Sequence, residues 1–296
     1  SIYWSEGVSY EFHLKQIEKL EDAANELHQM CLQVAGRIIQ SGDYPDYFQI
    51  PQTSIASIEH SWKAKAPMLY GRFDFAYDGQ NIKMLEYNAD TPTGLLEASV
   101  AQWHWIEEVQ NVPHRDQFNS IHEDLIERWK QLFAPKTLVH FAACQEAGRE
   151  DWGNLEYLMD TAFQAGLNVS ELSMENLGWD QTQFVDLNDQ AIHHLFKLYP
   201  WEWIWEENFS TFIKADTQWI EPCWKMLLSN KAILVELWKQ FPHHPLLLES
   251  HAFNPNDLFN GKWVRKPTLA REGANIHIIQ NNVDCGEASG SFHFKD

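Results

Sequence analysis

The sequence predicts a mixed α/β chain, and three stretches carry that expectation. Residues 9–41 repeat apolar side chains at helical spacing. Residues 72–89 set Asp78-Gly79 between two β-prone runs, and residues 137–174 read strand, helix, strand. A chain of 296 residues that is 44% apolar can bury a sizeable core, as one large domain or two ordinary ones.

The first helix is expected over residues 9–41, where Phe12, Ile17, Leu20, Ala24, Leu27, Cys31, Val34 and Ile38 form one face. Ser9 is placed to cap it and Gly42 to end it. A shorter helix follows from Ile55 to Lys63. The run MLYGRFDFAY, the turn Asp78-Gly79-Gln80 and the run NIKMLEYNA then predict a β-hairpin. A three-residue loop pairs Tyr77 with Asn81 and sets Arg72 opposite Glu86. Alternation along the strands then puts Arg72, Asp74, Met84, Glu86 and Asn88 on one face.

After the hairpin, Asp90-Thr91-Pro92-Thr93 reads as a helix start, with Thr91 as cap and Pro92 in the first helical position, continuing through Leu95, Leu96 and Trp105. Another amphipathic helix is expected over 114–134. A strand at 137–143, a helix from Trp152 to Ala165 ended by Gly166, and a strand at 168–174 form a parallel β-α-β passage. Residues 186–206 add strand and a Trp-rich stretch. Helices are expected at 217–228 and 230–240, and GKWVRKP and ANIHIIQ form two strands of a final sheet.

Composition excludes several functions. With 22 Lys+Arg against 42 Asp+Glu the formal charge is −20, and both halves are acidic, so no basic patch exists to neutralise a nucleic-acid backbone. No run is long and apolar enough for a membrane span, and the N-terminus SIYWSEG has no secretion pattern. Cys31, Cys144, Cys223 and Cys285 are far apart and form no CxxC pair, which predicts free thiols in a cytoplasmic protein. The expected partners are small molecules, and oligomeric state is not legible.

Three groups of residues could carry chemistry. Asp74, Glu86 and Asn88 offer oxygen ligands to a hard cation such as magnesium, with Arg72 able to clamp a carboxylate or a transferring phosphoryl group. A solvated hairpin face is the other reading. The Thr91/Thr93 helix start offers hydroxyls and free N–H groups to an anion, or is an ordinary cap. Lys231, Lys266 and the loop through Arg271, Glu272 and Gly273 could hold a triphosphate, though without the Walker A pattern, or form a surface loop.

Taken together, RFDFAYDG…MLEYNADTPT, LLSNKAIL and WVRKPTLAREGANI resemble the ligase half of glutathionylspermidine synthase and trypanothione synthetase, and more closely their stand-alone bacterial homologues. The resemblance spans nearly the whole chain, and the amidase domain of the bifunctional enzymes has no counterpart in it. It implies an ATP-grasp fold of the circularly permuted, glutathione synthetase-like type. Residues 1–134 would hold helices and the metal-binding hairpin, 135–215 a pre-ATP-grasp α/β layer, and 216–296 the small subdomain with the phosphate loop. After Gly273 the family continues further, so the C-terminal part of the ATP-grasp unit is expected to be incomplete.

The implied activity is ATP-dependent amide formation: a carboxylate is phosphorylated, and an amine attacks the acyl phosphate. The implied cofactors are ATP and Mg2+, with two ions expected. The family pattern makes Asp74, Glu86 and Asn88 magnesium ligands and sets Arg72 at the reacting carboxylate. It gives Thr91 and Thr93 to the peptide substrate, Glu150 and Asp151 to the amine, and Lys231, Lys266, Arg271, Glu272 and Gly273 to ATP. A degenerate, non-catalytic member that binds a peptide or amine is the second reading. A carbohydrate-active protein, suggested by 14 Trp and many carboxylates, is the third.

Overall fold

In the computed structural model the structure describes residues 8–109, 116–146, 148–213, 216–253, 260–270 and 273–288. Helix α1 (Leu14–Ser41) buries Leu27, Cys31, Val34 and Ile38 along one face. It starts five residues later than expected. His13, not Ser9, is the capping residue, because the Gln16 side chain accepts the His13 N–H at 2.9 Å. Gly42 ends the helix in the left-handed conformation (φ 67°) and donates to Ile38 O. Helix α2 (Ile55–Lys63) follows at its expected bounds.

Strands β1 (Arg72–Tyr77) and β2 (Ile82–Asn88) form the hairpin. Its turn spans four residues. The Asp78 carboxylate accepts the backbone N–H groups of Gln80 and Asn81, and these bonds hold its carboxyl down at about 2. Tyr77 therefore pairs with Ile82 rather than Asn81, a slip of one residue. A bulge between Asp74 and Phe75 adds a second, so Asp74 meets Glu86 and Arg72 meets Asn88, not Glu86. Two slips restore the side-chain parity, so Arg72, Asp74, Glu86 and Asn88 keep a common face. Met84 leaves it: on the turn side of the bulge it is 1% exposed and packs in the core with Tyr87.

Residues 89–94 form neither helix nor strand, with bends at Asp90 and Thr91. Gly94 has φ 87°, outside the right-handed helical region, so the helical path starts only at Leu95, with a π-turn over Glu97–Ala101 before α3 (Gln102–Glu108). Thr91 is thus not a cap, and Pro92 is not in a first turn.

Helix α4 (Ile121–Leu132) occupies the later part of the expected 114–134 span; 114 and 115 lie outside the described residues. Then come β3 (Leu138–Ala143), α5 (Arg149–Gln164), β4 (Asn168–Ser173), the short pair β5 (Gly178–Trp179) and β6 (Phe184–Val185), β7 (His194–Leu198) and the single turn α6 (Trp201–Ile204). Residues 217–228, expected as helix, instead begin with β8 (Gln218–Ile220). Pairing with β7 wins there, and Pro222 closes the strand before α7 (Met226–Ser229). Helix α8 (Ile233–Gln240) follows.

The parallel sheet has order β4-β3-β7-β8, so it takes in residues beyond 215. It separates two cores. Val139, Phe141, Phe196 and Ile220 face α4 and α5; Ala142, Leu195 and Trp219 face α1 and the hairpin. Finally β9 (Lys262–Arg265) and β10 (Ile276–Gln280) pair antiparallel, as the two runs predict. A third strand, β11 (Val283–Ala288), joins through an Asn281-Asn282 turn with both residues at positive φ. All four cysteines are free.

Candidate active site

The open end of the hairpin gathers most of the expected site residues. Arg72 forks onto Asp74, donating from Nε to Oδ1 at 2.8 Å and from Nη2 to Oδ2 at 3.3 Å, and from Nη1 to the Thr93 carbonyl at 3.1 Å. Its charge is reinforced: burial works against it, but the bonds to Asp74 outweigh that and raise its pKa. Thr93 Oγ1 donates to Glu150 Oε1 at 3.0 Å. Glu150 opens α5, just past the carboxyl end of β3. The strand order of the parallel sheet reverses between β3 and β7, a crevice where open α/β sheets take their ligands.

On the same face Glu86 is the centre of a cationic cluster. Its Oε2 lies 3.1 Å from Lys231 Nζ, and its Oε1 accepts from Asn88 Nδ2 at 3.0 Å. Burial opposes its charge, yet Lys231, Asn88 and Lys266 together hold its carboxyl below the usual range. Lys231 also donates to Ala270 O at 2.6 Å, and its backbone N–H bonds to Thr268 O. Lys266 reaches Leu85 O at 3.3 Å. Burial lowers its pKa more than Glu86 raises it. The two lysines thus converge from α7–α8 and the end of β9 onto the bulge in β2. Burial at this face is partial, so a ligand can reach it: the side chains of Arg72, Asp74 and Glu86 are 42%, 37% and 24% exposed.

The remaining expected residues are less tied together. Thr91 lies on the irregular segment after β2, Asp151 beside Glu150, and Gly273 (φ 70°) just before β10; Arg271 and Glu272 lie outside the described residues. Among the described residues no group of three His, Cys, Asp or Glu side chains is placed to hold a metal. Asp74 and Glu86 are two carboxylates in direct register, with the Asn88 amide beside them. This set suits an ion that keeps several waters and takes its other ligands from phosphate.

Sequence reasoning missed two buried ion pairs behind this face. Lys197 Nζ meets Asp90 Oδ1 at 2.5 Å, and Lys225 Nζ meets Glu221 Oε2 at 2.6 Å; all four side chains are no more than 1% exposed. Burial raises the Glu221 carboxyl and lowers the Lys225 ammonium. Glu221 accepts the Leu69 and Tyr70 N–H groups, and Lys225 donates to Tyr70 O, so the pair anchors the entry to β1. The only sequence signal was an i, i+4 Glu–Lys spacing in an apolar stretch.

The chain matches the family described as glutathionylspermidine synthase preATP-grasp over residues 1–295. A Haemophilus influenzae protein, named for an inferred acid–amine ligase activity, is 52% identical over 289 residues, covering 95% of this chain and 73% of that protein. The bifunctional glutathionylspermidine synthetase/amidase of Escherichia coli is 25% identical over 303 residues, and the trypanothione synthetase of Crithidia fasciculata 26% over 321. These alignments cover 93% and 97% of this chain, which spans about half (48%) of either protein. No helix among the described residues is long and apolar enough to cross a membrane. With the match running from one end of the chain to the other, the protein belongs to the glutathionylspermidine synthase preATP-grasp family.

Proposed function

We propose that this chain carries the acid-activating site of an ATP-dependent carboxylate–amine ligase of the ATP-grasp class. The observation that carries the reading is one strand face on which a forked arginine, two carboxylates in register and two converging lysines meet. The relatives' names, which speak of acid–amine ligation and glutathionylspermidine synthesis, support the class of reaction.

A carboxylate is a poor electrophile because its leaving group would be oxide. In the proposed reaction a carboxylate oxygen attacks the γ-phosphorus of ATP. The P–O bond to the β-phosphate breaks, ADP leaves, and an acyl phosphate remains. The amine nitrogen then attacks the acyl carbon. The C–N bond forms, the C–O bond to phosphate breaks, and the nitrogen gives up a proton.

Arg72 holds the carboxylate by its planar fork, turning part of its hydrogen bonding from Asp74 to the substrate. Thr91 and Thr93 line the segment beside it and contact the peptide acid. Glu150 and Asp151 place negative charge for an incoming ammonium. Lys231 and Lys266 hold the phosphates, and the resemblance assigns Arg271, Glu272 and Gly273 to the same nucleotide. Asp74, Glu86 and Asn88 would hold magnesium, which supplies charge neutralisation at the transferring phosphoryl group. Screening acids, glutathione first, against amines such as spermidine for ADP release tests the reading. ADP release that requires both partners is expected, and its absence for every pair contradicts it.

A further inference from the structure

We infer that Asp90 and Lys197 are a positioning pair that fixes the irregular segment carrying Thr91 and Thr93; the functional half of this inference rests on the ligase reading above. Residues 89–93 belong to neither helix nor strand. Their backbone polar groups are met instead by three side chains, those of Ser229, Tyr70 and Arg72. Ser229 Oγ accepts the N–H groups of Ala89 and Asp90 at 2.9 and 2.7 Å. Tyr70 Oη donates to Pro92 O at 2.5 Å, and Arg72 to Thr93 O. The Asp90 carboxylate takes Lys197 Nζ on one oxygen and the Trp201 N–H, at 2.8 Å, on the other.

Lys197 is the inward residue of β7, on the sheet face that looks toward the hairpin, and its ammonium lies 4.8 Å from the centre of the Trp201 ring. A fully buried lysine on a central parallel strand carries a heavy desolvation cost, which replacement by an apolar side chain would avoid. What it gains is geometry. The pair ties the segment to β7 near the carboxyl end of its pairing with β3, while Thr93 of the same segment meets Glu150. The segment's other end is tied to Arg72. A site on irregular backbone keeps its shape only when neighbouring side chains over-determine it. Misplacement by about 1 Å can cost on the order of 100-fold in rate. Asp90 and Lys197 touch no reacting atom in this account; they act through Thr91 and Thr93.

The test uses the double variant Asp90→Asn/Lys197→Met, which leaves no lone buried charge, and the milder Ser229→Ala. Hydrogen–deuterium exchange is read by mass spectrometry, and steady-state kinetics use glutathione and ATP. In the double variant, exchange in peptides covering residues 89–94 should rise at least tenfold while α1 stays within twofold. Ser229→Ala should shift the same peptides in the same direction. The KM for glutathione should rise about tenfold or more, with the KM for ATP within twofold. Unchanged exchange at 89–94, an equal rise in α1, or parallel rises in both KM values would overturn the inference. The exchange measurement needs no turnover, so a failed clamp is distinguishable from a failed ligase reading.

Discussion

Lys231 Nζ stands 3.1 Å from Glu86 Oε2, joining the segment before α8 to the bulged strand of the hairpin. In the proposed reading this pairs the cation meant for phosphate with a carboxylate meant for magnesium. On that reading their contact would be exchanged for ligand contacts on binding of a magnesium nucleotide.

Glu86→Ala separates these two roles. Magnesium-dependent binding of ATP should fall at least tenfold by calorimetry, because one of two carboxylates is lost. Binding without magnesium should not weaken, since Lys231 is released from its partner. The melting temperature should fall modestly, since the bonds to Lys231 and Asn88 at this partly buried side chain are lost. Unchanged affinity for magnesium ATP would remove Glu86 from the metal site.

Lys266→Met keeps the stem and removes the charge. A charge-assisted hydrogen bond contributes roughly 1.5–3 kcal/mol, so ATP affinity should fall by about 10- to 150-fold. A loss under twofold would return Lys266 to a loop residue. Since burial lowers its pKa, ATP binding should weaken with rising pH at lower pH than a free lysine would require. Lys266→Met should lose that dependence.

Glu86 also sets a pH dependence of stability. Its folded-state pKa lies below the ordinary value of 4.5, so the folded state releases this proton more readily than the unfolded one. The contribution is full above pH 4.5 and is lost as pH falls through the lowered folded value. Melting temperatures followed from pH 6 to pH 3 should therefore drop more steeply for the wild type than for Glu86→Gln. Parallel curves would contradict the assignment.

Gly71 precedes Arg72, and a Cβ there would lie 2.7 Å from Tyr87 Cε2. The Tyr87 ring cannot easily move: it stacks 3.9 Å from Phe73, and its hydroxyl meets His28 Nδ1 at 3.0 Å. Gly71→Ala should destabilise the protein by about 1–3 kcal/mol, the range for overpacking. Denaturant unfolding checks it, and a change below about 0.3 kcal/mol would show that the ring gives way.

How much of this was legible follows from the range of each signal. The hairpin face could be read because parity survives a slip of two residues; the turn and the bulge each contributed one slip, and neither has a sequence mark as plain as Asp78-Gly79. Met84 was misplaced for the same reason, since it lies on the turn side of the bulge. The helix start at Thr91 failed because capping-type residues were weighed without Gly94, whose positive φ stops the helix from reaching back. Strand β8 hid in an apolar run that only its pairing with β7 resolves. Asp90–Lys197 joins residues 107 apart in sequence, a distance over which no periodicity speaks.

Arg72→Lys addresses the chemistry itself. The charge stays, but the fork that meets Asp74 at 2.8 and 3.3 Å is lost. Turnover should fall more than substrate binding, because a point charge cannot orient a planar carboxylate. Normal turnover would place the reacting carboxylate elsewhere.

The most direct test of the account follows the oxygen atoms. With an acid labelled with 18O in its carboxylate, glutathione being the first choice, an acyl phosphate obliges one labelled oxygen to leave on inorganic phosphate in each turnover. Mass spectrometry of the released phosphate should show one 18O per ADP formed, and Arg72→Lys should lower the rate without changing that ratio. ADP formation with unlabelled phosphate would contradict carboxylate activation at this site.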